Sequence, residues 1–85
     1  MDGFQLMRRS YAMAIQIVMD LTGDTRHHFD PGTADELARA EERFKRLTGR
    51  GFTAAKRTSP GETSKLRSFD PTAEETVFFP RIVGG

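Results

Sequence analysis

Apolar side chains alternate with other residues from Met13 to Leu21. A period of two is typical of a β-strand with one buried face, because successive strand side chains point to opposite sides. The turn residues Thr22-Gly23-Asp24 follow, and Thr25 to Phe29 predicts a second strand. The pattern therefore predicts a β-hairpin. The face predicted to be buried carries Met13, Ile15, Ile17, Met19 and Leu21.

The spacing of apolar residues then changes to three and four, which predicts an amphipathic helix from about Ala34 to Thr48. Its apolar stripe consists of Leu37, Ala40, Phe44 and Leu47. Thr33 and Glu36 fit a capping box, in which the hydroxyl and the carboxylate each accept a bond from a free backbone N–H. Gly49 is expected to end the helix in the left-handed conformation.

Charged residues on the exposed side of this helix are spaced for ion pairs. Residues four apart on a helix are neighbours, and an acidic residue placed before a basic one is the better orientation. The expected pairs are Asp35 with Arg39, Glu41 with Lys45, and Glu42 with Arg46.

Three further strands are predicted after the helix. Phe52 to Thr58 reads as the first of them, and Ser59-Pro60-Gly61-Glu62 as a turn. Leu66 to Phe69 is expected to form a short fourth strand. A turn or single helical turn with Asp70 as its cap precedes the last strand, Thr76 to Phe79, which should lie inside the sheet because it is apolar on both faces.

Composition limits what the protein can be. The chain has 85 residues, 36% of them hydrophobic, seven phenylalanines, no cysteine and a formal net charge of +1. These values predict one small domain without disulfides or thiolate metal sites, and without a strong field for nucleic acid. No apolar run is long enough to span a bilayer, and no small-residue cleavage site follows the apolar start. We expect a cytoplasmic monomer with no membrane partner.

The residues of the hairpin and the tail resemble those of the ubiquitin-like β-grasp family. Gln16 to Thr25 contains a Leu-Thr-Gly-x-Thr turn, similar to the opening hairpin of the family. Asp30-Pro31-Gly32-Thr33 resembles its entry into the helix, and Thr76 to Phe79 with Gly84-Gly85 looks like its last strand and diglycine tail. The resemblance implies an α+β fold of the β-grasp (ubiquitin-like) type, with the order strand-strand-helix-strand-short strand-strand and one helix packed on one face of a mixed sheet.

Three parts are expected within the chain. Residues 1–11 form an N-terminal arm, residues 12–79 the β-grasp domain, and residues 80–85 an extended diglycine tail. Pairing is expected to weaken at Pro80, because proline cannot donate a ladder hydrogen bond.

The resemblance implies a protein modifier or a sulfur carrier of the bacterial type, and not an enzyme. In such families a partner enzyme uses ATP to adenylate the terminal carboxylate, here that of Gly85. The carboxyl group is then passed to a target lysine, from which an isopeptidase can release it, or it receives sulfur. Gly84 would give clearance in the enzyme's cleft, and no cofactor would be bound by the domain. Recognition of the tail would fall to Arg81, Ile82 and Val83.

Two other functions remain open from the residues alone. The chain could be a non-conjugated interaction or structural module of the same fold, in which the Gly-Gly end has no role. It could also bind nucleic acid through basic residues around an aromatic side chain, although the balanced net charge favours a solvated face. This possible partner surface consists of Arg50, Phe52, Lys56 and Arg57.

A metal site at His27 and His28 is not expected. Neighbouring residues of a strand point to opposite faces, so the two imidazoles cannot easily reach one ion.

Overall fold

A computed structural model of the protein describes residues 13–80. The predicted arm at residues 1–11 and residues 81–85 of the predicted tail lie outside this part of the chain. The order strand-strand-helix-strand-strand-strand is confirmed. The elements are β1 (Ala14–Asp20), β2 (Gly23–Phe29), α1 (Ala34–Gly49), β3 (Phe52–Ser59), β4 (Glu62–Leu66) and β5 (Glu75–Pro80).

The five strands form one mixed sheet with the order β2-β1-β5-β3-β4. β1 and β5 are parallel, and the other neighbouring pairs are antiparallel. The last strand thus lies at the centre of the sheet, as its apolar sequence predicts. One helix packs on one face of this sheet, so the fold is α+β.

Aromatic side chains join the helix to the central strand. Phe78 of β5 is completely buried and meets Phe44 of α1 edge to face, with ring centroids 5.7 Å apart. Phe69, from the connection before β5, meets the same Phe44 ring at 5.9 Å. Leu47 and Ala54 complete this cluster. Such edge-to-face aromatic pairs contribute beyond the area they bury, so this cluster anchors the helix.

The prediction for the buried face of β1 is wrong for the side that meets the helix. Ala14 packs with Ala40, and Val18 with Phe44 and Phe78, so the helix lies on the residues between the larger apolar ones. On the predicted face, Ile17 is buried and Ile15 is half-buried, as predicted, whereas Met13 and Met19 are 46% and 39% exposed. The alternation of a strand shows that its faces differ, but small residues such as Ala14 let a helix approach closely.

The hairpin forms where it is predicted, and its turn begins at Asp20. The Asp20 carboxylate accepts bonds from the backbone N–H of Thr22 at 2.8 Å and from its hydroxyl at 2.6 Å. Gly23 has a φ of 130°, a conformation that side-chain-bearing residues rarely adopt. The turn therefore removes Leu21 from the strand.

The predicted capping box does not form. Thr33 is the N-cap of α1 but makes no side-chain bond to the helix, and its hydroxyl donates instead to Oδ2 of Asp30 at 3.1 Å. Glu36 reaches past the cap, where its Oε1 accepts a bond from the Asp30 backbone N–H at 2.8 Å. Asp30 also accepts a bond from the Gly32 N–H. Asp30 therefore organises the entry to the helix.

The helix ends later than predicted. Gly49 is its last residue, and Arg50 follows in a right-handed conformation with its N–H bonded to the carbonyls of Arg46 and Leu47. The left-handed residue is Gly51, with a φ of 103°, and not Gly49 as predicted.

The fourth strand also differs from its prediction. β4 covers Glu62–Leu66 and not Leu66 to Phe69, because the tight turn at Pro60-Gly61 lets pairing with β3 start at once. β4 is an edge strand whose side chains are mostly exposed, which explains its polar sequence. Phe69 is thereby free to pack on the helix.

Candidate functional site at the carboxyl end of the central strand

The predicted tail begins where the central strand ends. β5 pairs with β1 as far as Phe78, and with β3 as far as Pro80, which lies opposite Phe52. Pro80 is thus held by one neighbouring strand. The residues predicted to be activated or recognised, Arg81, Ile82, Val83, Gly84 and Gly85, lie outside the described residues.

Exposed apolar side chains surround this point. Met19 and Phe79 are each 39% exposed, and Leu21 in the hairpin turn is 101% exposed. The parallel register that sets Val18 beside Phe78 also sets Met19 and Phe79 on one face of the sheet, opposite the helix. We call Met19, Leu21 and Phe79 the tail-root surface, whereas Pro80, opposite Phe52, alternates to the helix side. It leaves apolar area exposed near the carboxyl end of β5.

The sequence pattern placed Met19 and Leu21 on a buried face, so it missed this surface. The turn signal was available, however, because Asp20, Thr22 and Gly23 form a turn around Leu21. A residue inside such a turn cannot continue the strand alternation.

The predicted partner surface is not brought together as one patch. Lys56 and Arg57 are successive strand residues on opposite faces, and each has an acidic partner. The Nζ of Lys56 lies 2.7 Å from Oδ2 of Asp70, and Nη2 of Arg57 lies 3.0 Å from Oε2 of Glu75. Phe52 and Arg50 differ in their surroundings. Phe52 packs partly against the core, and Arg50 is exposed after the helix.

Asp70 is a structural residue of the connection before β5. The hydrogen bond from Lys56 and those from the side chain and backbone of Thr72 lower the pKa of Asp70 from 3.8 to about 2. Its Oδ1 accepts the Thr72 hydroxyl at 2.6 Å and the Thr72 N–H at 2.9 Å. Asp70 therefore stays ionised and ties this connection to β3.

The two histidines lie on opposite faces of β2. His27 is half-buried on the helix side, and burial lowers its pKa, followed by the charges of Arg43 and Arg46. Within residues 13–80, no three histidine or acidic side chains are placed to hold a metal ion. The same part of the chain contains no helix with the length and apolar character needed to cross a membrane.

Comparison of the chain with protein-family models, with curated proteins and with solved structures finds no match. The fold and the site define the class: a small α+β protein whose central strand ends beside an exposed apolar surface. What this arrangement offers chemically is exposed apolar area beside the end of the central strand.

Proposed function

We propose that this protein is a ubiquitin-like β-grasp protein, used as a protein modifier or sulfur carrier, whose terminal glycine carboxylate is activated by a partner adenylating enzyme. The observation that carries the proposal is the position of β5. It is the central strand, it is paired on both sides, and its carboxyl end precedes the Gly-Gly sequence by three residues. The order of elements and the single helix on one sheet face support the same fold.

The length of the tail suits the proposal. Five residues follow Pro80 as far as Gly85, and an extended chain of that length spans about 17 Å. In this proposal, that distance is enough for Gly85 to enter a cleft of a partner. Gly84 and Gly85 lack side chains, so the backbone can pass through a channel too narrow for other residues.

The chemistry follows from the carboxylate. A carboxylate is a poor electrophile, and transfer of AMP from ATP turns it into a mixed anhydride with release of pyrophosphate. An amine or a sulfur donor then displaces AMP, which leaves an isopeptide or a thiocarboxylate. In this proposal ATP is bound by the partner, and the domain supplies the substrate end.

The tail-root surface gives the partner an anchor. Full burial of a large apolar side chain contributes about 1.5–3 kcal/mol. Met19, Leu21 and Phe79 are exposed beside the start of the tail. One partner can therefore contact the tail-root surface and the tail at the same time.

The test compares the native chain with a variant that lacks Gly84-Gly85, each expressed in the native host. Trypsin cleaves after Arg81, so a modified lysine should carry Ile-Val-Gly-Gly, and a sulfur carrier should show one oxygen replaced by sulfur in its intact mass. The intact mass also establishes whether the mature chain ends at Gly85. If neither the remnant nor the thiocarboxylate occurs with the native chain, the proposal fails.

A second function is favoured by the tail-root surface itself. Its apolar side chains are exposed whatever becomes of the tail, which fits an interaction module that is never conjugated. That alternative predicts that removal of Gly84-Gly85 leaves partner affinity unchanged, whereas Phe79→Ser weakens it.

A further inference from the structure

Three arginines form a row along one flank of α1. Arg39, Arg43 and Arg46 are spaced four and three residues apart, so they lie on the same side of the helix. The row runs beside β2: Arg39 and Arg43 line a shallow cavity of about 220 Å³ together with His28 and Phe29. We call these three residues the arginine row.

The positive charge of the row is not neutralised by its predicted partners. Among residues 13–80, no carboxylate lies within ion-pairing distance of any of the three guanidinium groups. The expected pairs of Asp35 with Arg39 and of Glu42 with Arg46 are therefore wrong. The side-chain ion pairs of this part of the chain are Lys45–Glu41, Lys56–Asp70 and Arg57–Glu75.

Arg43 and Arg46 are also close enough to oppose one another. Burial and then the charge of Arg46 lower the pKa of Arg43. Glu36 lines the same cavity and offsets part of this charge, although its carboxylate forms no ion pair with the row and its Oε1 accepts the N–H of Asp30 at 2.8 Å. A folded surface that keeps like charges together gains when an anion from outside binds between them.

We infer that the arginine row is a docking surface for an acidic helix of a partner protein. The row advances about 6 Å and then about 4.5 Å along α1, since a helix rises 1.5 Å per residue. A partner helix with glutamates at spacings of four and three repeats these intervals. Two of its carboxylates can pair with the exposed Arg39 and Arg46, and the third approaches Arg43, which is half-buried and already donates from Nη1 to Oε1 of Gln16 at 2.7 Å. The alternate side chains of an extended strand repeat evenly at about 6.6 Å and match the row less well.

A nucleic acid suits this surface less well than an acidic helix. Strong binding of a polyphosphate needs many cationic contacts, whereas the row has three and the chain a net charge of +1. Asp35 and Glu42 stand next to the row on the same helix. A continuous phosphate backbone would also meet these carboxylates, whereas a single acidic stripe would meet only the row.

This docking surface is separate from the tail-root surface. The row is on the helix side of the sheet, whereas Met19 and Phe79 are on the opposite face. A partner on the row therefore leaves the tail free, and the inference does not depend on activation of the carboxylate.

The test uses the full chain and two labelled helical peptides of identical composition. One carries glutamates at spacings of four and three on one face, and the other carries the same glutamates scattered around the helix. We expect saturable binding of the first peptide at low salt, weaker binding of the second, and backbone NMR shifts centred on α1 and β2. Arg46→Glu or Arg39→Glu should weaken binding about tenfold, since a reversed contact charge is worth roughly 1.4 kcal/mol.

Lys45→Glu is the matched control, because it makes the same charge change on the other exposed side of α1. It should change the affinity less than about twofold. Equal losses in Arg46→Glu and Lys45→Glu, no saturable binding of either peptide, or equal binding of both would each overturn the inference. Tighter binding of oligothymidylate of the same charge, lost in Arg46→Glu, would also overturn it in favour of nucleic acid.

Discussion

Arg43 donates a hydrogen bond from Nη1 to Oε1 of Gln16 at 2.7 Å, which joins the helix to a completely buried side chain of β1. The other end of the same amide is also satisfied, because Nε2 of Gln16 donates to the Ala40 carbonyl at 3.0 Å. A buried amide with both ends bonded costs little to keep but much to disturb. Gln16 therefore fixes where α1 lies on the sheet.

Replacement of Gln16 should destabilise the protein in two steps. Gln16→Met keeps most of the volume but loses both hydrogen bonds, and should lower the free energy of unfolding by about 1 kcal/mol. Gln16→Ala adds a cavity and should lower it by about 2–3 kcal/mol. Urea denaturation of the two variants beside the native chain measures both values. Native stability in Gln16→Met would show that the bonds from Arg43 and to Ala40 contribute nothing.

Two adjacent phenylalanines of β5 should respond very differently to truncation. Phe78 is fully buried against Phe44, whereas Phe79 is 39% exposed on the opposite face. Phe78→Ala should cost about 3–5 kcal/mol of unfolding free energy, and Phe79→Ala about 1 kcal/mol or less. Thermal or urea unfolding of the two variants beside the native chain measures both losses. A similar loss for both would mean that the helix does not pack on the Phe78 side of the sheet.

The order of elements was predictable because each element carries its own local signal. The hairpin has a two-residue period and the turn around Gly23, and the helix has one continuous apolar stripe. The stripe Leu37, Ala40, Phe44 and Leu47 needs no knowledge of distant residues. Phe78 likewise marks a strand that must be covered on both sides.

What could not be predicted depends on contacts between distant parts of the chain. The helix side of β1 is decided by how closely Ala14 lets α1 approach, and by the bond between Gln16 and Ala40. The surface predicted at Arg50, Phe52, Lys56 and Arg57 is not one patch, because Lys56 and Arg57 lie on opposite faces of β3. Lys56 is also bonded to Asp70, 14 residues further along the chain, and no local pattern contains that contact. The tail-root surface likewise depends on the register of β1 with β5, which no local pattern contains.

Acid should destabilise the protein through Asp70. Its pKa is about 2 in the folded state against an ordinary value of 3.8, so the folded state binds the proton less readily than the unfolded chain. This contribution, about 1 kcal/mol once screening by solvent is allowed for, is present above pH 3.8 and is lost as the pH falls towards 2. The free energy of unfolding of the native chain and of Asp70→Asn should be measured between pH 2 and 6. The difference between them should shrink as the pH falls, and a constant difference would contradict the assignment.

His27 should give a second pH dependence, in the same direction as that of Asp70 but in a higher pH window. Burial and the charges of Arg43 and Arg46 hold its pKa below the ordinary value of 6.5, so the unfolded chain takes up a proton at a higher pH than the folded protein. Stability from this group is therefore complete above pH 6.5 and falls as the pH drops through the window below that value. The titration of the His27 ring followed by NMR should show the lowered pKa directly.

Removal of one neighbouring charge separates the two causes of the lowered pKa of His27, which are burial and the nearby cations. Arg46→Gln should raise the pKa of His27 because a cationic neighbour opposes protonation, but burial should still keep the value below 6.5. Lys45→Gln removes an equal charge from the other side of the same helix, and should leave the titration of His27 unchanged. An identical His27 titration in the native chain and in Arg46→Gln would contradict the placement of Arg46 beside β2. Since the arginine row depends on that placement, the same measurement also tests the geometry of the proposed docking surface.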